Sequence, residues 1–133
     1  MAKIVTLSEA ASIALHAMIL VGRSKGGLIN VDEIAELTSS SRHHVAKVMQ
    51  RLAKDGYVGS SRGPNGGFFL QKKPSQISLL EIYESIEGKV NPTECPMDKQ
   101  VCNFGQCFMN NITKDLTIQF RDYMKNQTLD KYL

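Results

Sequence analysis

Six consecutive residues, Arg62-Gly-Pro-Asn-Gly-Gly67, are dense in turn formers. Glycine supplies backbone conformations closed to other residues, proline presets its own φ, and asparagine tolerates the left-handed region. No helix or straight strand crosses such a run. The stretches on either side, Tyr57-Val-Gly-Ser-Ser61 and Gly67-Phe-Phe-Leu70, are short and rich in residues that favour strands. The expected element is a single two-stranded hairpin. Everything else must fit around it in a chain of 133 residues, which is one domain or one domain with an appended helix.

The remaining segments read as helices. Thr6-Leu-Ser-Glu9 has the form of a capping box, with Thr6 as N-cap and Glu9 reaching back. It predicts a helix to about Val21 with Ile13, Ala14, Ala17, Met18 and Val21 on its apolar face. Asn30-Val-Asp-Glu33 opens a short helix anchored by Ile34 and Leu37, and Thr38-Ser-Ser-Ser41 breaks it. A third helix is predicted from about Arg42 to Asp55, with Val45, Val48, Met49 and Leu52 inward and Gly56 closing it. Ser78-Leu-Leu-Glu81 starts a fourth, through Glu87, with Leu79, Leu80, Tyr83 and Ile86 as its apolar residues. The last runs from about Gln106 to Lys125, where Ile112, Leu116, Phe120 and Met124 recur every four residues beside Tyr123.

A helix pair joined by a tight polar turn and followed by a hairpin is a winged helix-turn-helix. The predicted fold class is therefore mainly α, with a small β-hairpin wing and a long C-terminal helix. The second helix of the pair begins with Ser41, Arg42, His43, His44 and, one turn on, Lys47. Hydroxyl, imidazole and ammonium groups at that end can reach phosphates or base edges in a major groove. Arg62, on a thin loop of small residues, suits a narrow minor groove. Charge agrees. From Arg42 to Lys73 there are seven basic residues and one acid, Asp55, whereas Glu81 to Lys99 holds five acids against Lys89 and Lys99. Taken alone, a charge run is usually a solvated face. Here it coincides with the motif, which points to double-stranded DNA. The Gly-rich turn is not a phosphate loop, because it lacks the Gly-Lys-Ser/Thr ending and lies between strands.

Three cysteines remain, Cys95, Cys102 and Cys107, spaced C-x6-C-x4-C in a loop that also contains Pro92, Pro96 and Gly105. An odd, clustered set is a poor disulfide framework and a good start on a soft-metal site. Three thiolates suit an iron–sulfur cluster and zinc alike.

The run Ser60-Ser-Arg-Gly-Pro-Asn-Gly-Gly-Phe-Phe-Leu70 resembles the S-x-R-G-x-x-G-G-[FY]-x-L wing of the Rrf2 family of bacterial transcription regulators. The resemblance continues through Ala14-Leu-His-Ala-Met18, Leu52-Ala-Lys-Asp-Gly56, Ile77-Ser-Leu-Leu-Glu-Ile82, the cysteines and the terminal helix. It implies a homodimer on a palindromic operator, with Ile112, Leu116, Phe120, Tyr123 and Met124 at the interface between the long helices. It implies recognition contacts at Ser41, His43, His44 and Lys47. The cysteines match the members that carry a cluster, of two or four irons, so the implied metal ligands are Cys95, Cys102 and Cys107. The spacing of six and four differs from the more usual five and five. Some relatives take a fourth ligand three residues after the last cysteine, but here that residue is Asn110, a poor iron ligand. Others take it from the first helix of the second subunit, where the order of candidates is His16, Glu9, Ser12. The alternative for His16 is a helix-edge residue satisfied by a backbone carbonyl or water.

The expected organisation is a winged helix-turn-helix over residues 1–77 and an effector loop with dimerisation helix over 78–133. No apolar run reaches the length of a membrane span and no export signal is legible, so a cytoplasmic, reducing setting is expected. The expected function is a DNA-binding repressor or activator that senses cluster status, nitric oxide or redox state. The competing reading is a zinc-stapled or cluster-free winged-helix interaction module. No Cys/His/Asp arrangement of an enzyme is legible.

Overall fold

The computed structural model describes residues 1–24, 27–92, 97 and 102–133. Among these the order is α1 (Glu9–Arg23), α2 (Val31–Thr38), α3 (Arg42–Lys54), β1 (Val58–Ser61), β2 (Gly67–Leu70), α4 (Leu79–Glu87) and α5 (Ile112–Asn126). Short 3-10 turns occupy Pro74–Gln76 and Leu129–Tyr132. Neither turn was anticipated from the sequence.

Local chemistry sets most boundaries. Ser41 caps α3, its hydroxyl accepting from the His44 amide at 3.1 Å. The other end of α3 closes in a Schellman motif. The Tyr57 amide donates to Leu52 O at 3.0 Å and the Gly56 amide to Ala53 O at 3.1 Å, with Gly56 at φ +85°. Ser78 and Glu81 form the reciprocal capping box expected for α4.

Two boundaries differ from expectation. α1 is capped by Ser8, not Thr6: the Ser8 hydroxyl accepts from the Ala11 amide and donates to the Glu87 carboxylate. Glu9 does not reach back; it pairs with His44. α5 starts at Ile112 rather than Gln106, because Asn110 and Asn111 sit at φ +49° and +60°, outside the helical region.

The hairpin is antiparallel, pairing Val58 with Leu70 and Ser61 with Gly67. β2 also meets the chain ahead of α2, where the Phe68 amide donates to Ile29 O at 2.8 Å. That seam requires glycine at position 67, since a Cβ there would lie 2.6 Å from the Ile29 carbonyl oxygen.

One core unites the helices. All five predicted α1 residues and all four of α3 are buried, with Ile34, Val58, Ile77 and Ile82. Ile82 is the α4 residue packed deepest, whereas Leu79, Tyr83 and Ile86 are half-buried. Leu37, expected as an anchor of α2, is instead exposed. After α5 the chain returns to this core. Leu129 is fully buried and its amide donates to Ile77 O at 2.9 Å, while Leu79 N–H donates to Gln127 O. The core therefore runs across the point, between residues 77 and 78, where the sequence suggests a functional division.

Candidate nucleic-acid interface and thiol loop

The fold divides the candidate DNA contacts into two groups. Ser41 caps α3, its hydroxyl accepting from the His44 amide. Arg42 Nε lies 2.6 Å from Asp32 Oδ1 on α2, and both side chains are exposed. His44 is half-buried and its Nδ1 lies 3.3 Å from Glu9 Oε1, so it joins α3 to the first turn of α1. His43, Lys47 and Arg62 form the second group. All three are exposed, and none has a hydrogen-bond or ionic partner among the described residues. His43 and Lys47 share one outer face of α3, and the exposed Gln50 and Lys54 extend it at i+7 and i+11. Gln50 was not singled out in the sequence, though its helical spacing from His43 and Lys47 is the signal that would have found it.

A cation–π contact lies at the base of the wing. Lys72 Nζ sits 4.6 Å from the centre of the Tyr57 ring. Burial raises the Tyr57 phenol above its ordinary value of 10.0, and the carboxylates of Glu81, Asp55 and Glu84 add to the shift.

Of the thiols, Cys95 lies outside the described residues. Cys102 is half-buried, Cys107 is exposed, and neither is in a disulfide. The Asn110 amide donates to Cys107 O at 3.1 Å, closing a turn directly after the last cysteine. Among the described residues no three His, Cys, Asp or Glu side chains gather as a metal site. The donor chemistry nevertheless fits iron or zinc, since thiolates are the preferred ligands of both.

The candidates for a fourth ligand are distinguishable on α1. Glu9 is engaged by His44. Ser12 Oγ lies 3.4 Å from His16 Nδ1. The exposed His16 ring donates from Nδ1 to the Ser12 carbonyl at 2.7 Å. That bond is the backbone satisfaction weighed above, but it leaves Nε2 available. A neutral ring with its proton on Nδ1 keeps a lone pair on Nε2, the form in which histidine binds metals.

The α5 stripe is divided. Met124 is buried, and Phe120 packs edge-on against Tyr83, centroids 5.3 Å apart at 71°. Ile112, Leu116 and Tyr123 are exposed at 45%, 40% and 59%. Leu116 and Phe120 line an apolar groove of about 390 Å³ with Ile4, Val5, Leu7 and Tyr83.

The order of these parts matches known proteins. The sequence profile of the Rrf2 family, described as iron-dependent transcriptional regulator, matches residues 7–133. This chain belongs to the Rrf2 family. It is 30% identical to an HTH-type transcriptional regulator of Aquifex aeolicus over 125 residues, 92% of this chain and 87% of that one. It is also 30% identical to the HTH-type transcriptional regulator IscR of Escherichia coli O1:K1, covering 92% of this chain and 76% of that protein. Among solved structures, Staphylococcus aureus CymR in its oxidized form superposes with a TM-score of 0.75 at 26% identity, covering 96% and 94%. The B. subtilis global cysteine regulator CymR shares the fold, with a TM-score of 0.78 at 23% identity, covering 96% and 95%. This Rrf2 protein is thus a winged-helix, DNA-binding transcription regulator and not an enzyme. No helix among the described residues is long and apolar enough to cross a membrane.

Proposed function

We propose that this Rrf2 protein is a cytoplasmic homodimer that binds a palindromic operator and reads cluster status, nitric oxide or redox state. The single observation that carries the sensing reading is the donor set: three thiols ahead of α5 in the sequence, with an exposed histidine on α1 whose Nδ1 is bonded to the Ser12 carbonyl. Cys95, Cys102 and Cys107 would hold an iron–sulfur cluster, of two or four irons. The fourth ligand comes from α1 of the second subunit, His16 ahead of Glu9 and Ser12. When bound, such a group supplies a centre that iron supply, nitric oxide or oxidation can alter.

The chain's own residues do the rest. His43 and Lys47 enter the major groove and Arg62 the minor groove, because these three side chains are exposed and uncommitted within the protomer. Ser41, Arg42 and His44 act by fixing α3. The exposed Ile112, Leu116 and Tyr123 meet their counterparts along the α5 pair, and residues 78–133 serve as the effector and dimerisation part. Two recognition helices must fit successive grooves at once, so tethering the thiol loop to the second subunit's α1 adjusts their spacing and hence the affinity.

The test is an absorption spectrum with iron and acid-labile sulfide content on anaerobically purified protein. Visible absorption with iron and sulfide in matching amounts, abolished by Cys102→Ala, supports the reading. A colourless protein holding stoichiometric zinc contradicts it and favours the zinc-stapled module.

A further inference from the structure

α4 touches four parts of the molecule through residues in a single run. Tyr83 packs on Phe120 of α5. Glu84 holds the start of the segment that leads to the thiols: its Oε2 accepts from the Val90 amide at 2.8 Å, and its Oε1 lies 3.8 Å from Lys89 Nζ. That carboxylate is only 16% exposed, so the grip is sheltered from water. Ser85 holds the recognition helix. Glu87 accepts from Ser8, the N-cap of α1.

The Ser85 contact stands out because it satisfies groups that α3 and α4 leave exposed. Asp55 is the C-cap of α3, where the helix dipole disfavours a carboxylate. Its Oδ2 is met by the Ser85 hydroxyl at 2.5 Å and by Arg51 Nε at 3.4 Å. Arg51 Nε also donates to the Ser85 carbonyl at 2.9 Å, a carbonyl in the last turn of α4. Ser85 is the one polar residue buried to this degree among the described residues. Local preference does not explain an acid at that helix end; the contact across to α4 does.

We propose that Glu84 and Ser85 form a positioning relay: Glu84 grips the entry to the thiol loop, and Ser85, through Asp55 and Arg51, sets the last turn of the recognition helix. Its regulatory use rests on the sensing role proposed above. The relay itself is a property of the protomer. A change that pulls on residues 89–91 shifts α4 by way of Glu84, and α3 follows because Ser85 holds it at two atoms. Ser85, Asp55 and Arg51 are positioning residues and touch neither DNA nor metal.

Hydrogen exchange on metal-free, DNA-free full-length protein tests the relay. Glu84→Ala should speed exchange at amides 52–57 by roughly two- to tenfold, the effect of one lost hydrogen bond. In a Ser85→Ala background, which keeps only the carbonyl bond to Arg51, the same change should add clearly less, while Ser85→Thr should restore the response. If alanine at position 84 prevents folding, Glu84→Met, of similar length but without the carboxylate acceptor, takes its place. The relay is overturned if the position-84 change frees amides 89–91 but leaves 52–57 unaltered, or acts equally in both backgrounds. The regulatory use is read separately, as the ratio of operator affinities of metal-loaded and metal-free protein. Ser85→Ala should bring that ratio towards one. An unchanged ratio in Ser85→Ala refutes the regulatory use. A wild-type ratio of one refutes the sensing role itself, with the exchange result still deciding the relay.

Discussion

Replacing Gly67 by alanine probes how the wing is anchored. The added Cβ would lie 2.6 Å from the Ile29 carbonyl oxygen, 2.7 Å from its carbon and 2.9 Å from the Ile29 nitrogen. All three are backbone atoms, so no side chain can swing aside. β2 must retreat from Ile29, and the 2.8 Å bond from the Phe68 amide is lost. Overpacking of this kind costs about 1–3 kcal/mol, and a backbone hydrogen bond contributes about 0.5–1.5 kcal/mol. Together they give a destabilisation of about 2–4 kcal/mol, a large share of the roughly 5–15 kcal/mol typical of a domain. Urea titration followed by circular dichroism measures it, with the slope unchanged from wild type. Operator affinity should fall as well, because Arg62 rides on the displaced hairpin. A loss under about 0.5 kcal/mol, the range of ordinary surface changes, would refute the reasoning.

Arg62→Ala should leave stability within about 0.5 kcal/mol of wild type while weakening operator binding and lowering the salt slope by about 1. An unaltered affinity would remove Arg62 from the interface. Leu116→Glu should convert a dimer to monomer in sedimentation at unchanged helix content, because Leu116 is 40% exposed within the protomer; persistence of the dimer would move the interface elsewhere. The raised Tyr57 phenol predicts alkaline sensitivity. Its folded-state pKa exceeds the unfolded value of 10.0, so its contribution is whole below that pH and is lost as pH rises through the folded value. Denaturation curves from pH 9 to 11.5, about the range over which a raised tyrosine titrates, should show a weaker pH dependence in Tyr57→Phe, with the remainder left to Tyr83 and Tyr132, whose phenols are also raised.

Local signals carried much of the fold. The Ser78/Glu81 box and the apolar stripes of α1 and α3 appear where spacing put them, because each is decided within one or two turns. The misread positions are those where a distant partner decides. Thr6 and Ser8 are both able caps, and Glu87 and His44 tip the choice by engaging Ser8 and Glu9. The apolar period of α5 says nothing about where it begins; Asn110 and Asn111 in left-handed conformations do. In the site, residue type pointed to Ser41, Arg42, His43, His44, Lys47 and Arg62 alike. It could not show that Arg42 and His44 meet Asp32 and Glu9, which come from other helices. The Ser85–Asp55–Arg51 contact joins residues 30 and 34 positions apart, beyond any local pattern.

The coupling of metal state to DNA binding is tested most directly by operator affinity. It should be measured across a salt range for metal-loaded, metal-free and Cys102→Ala protein, on an operator recovered by selection from random DNA. Loaded and metal-free forms should differ by at least about fivefold, the lower end of allosteric coupling, with Cys102→Ala matching the metal-free form. Equal affinity for all three at every salt concentration would contradict a sensing role for the thiol loop.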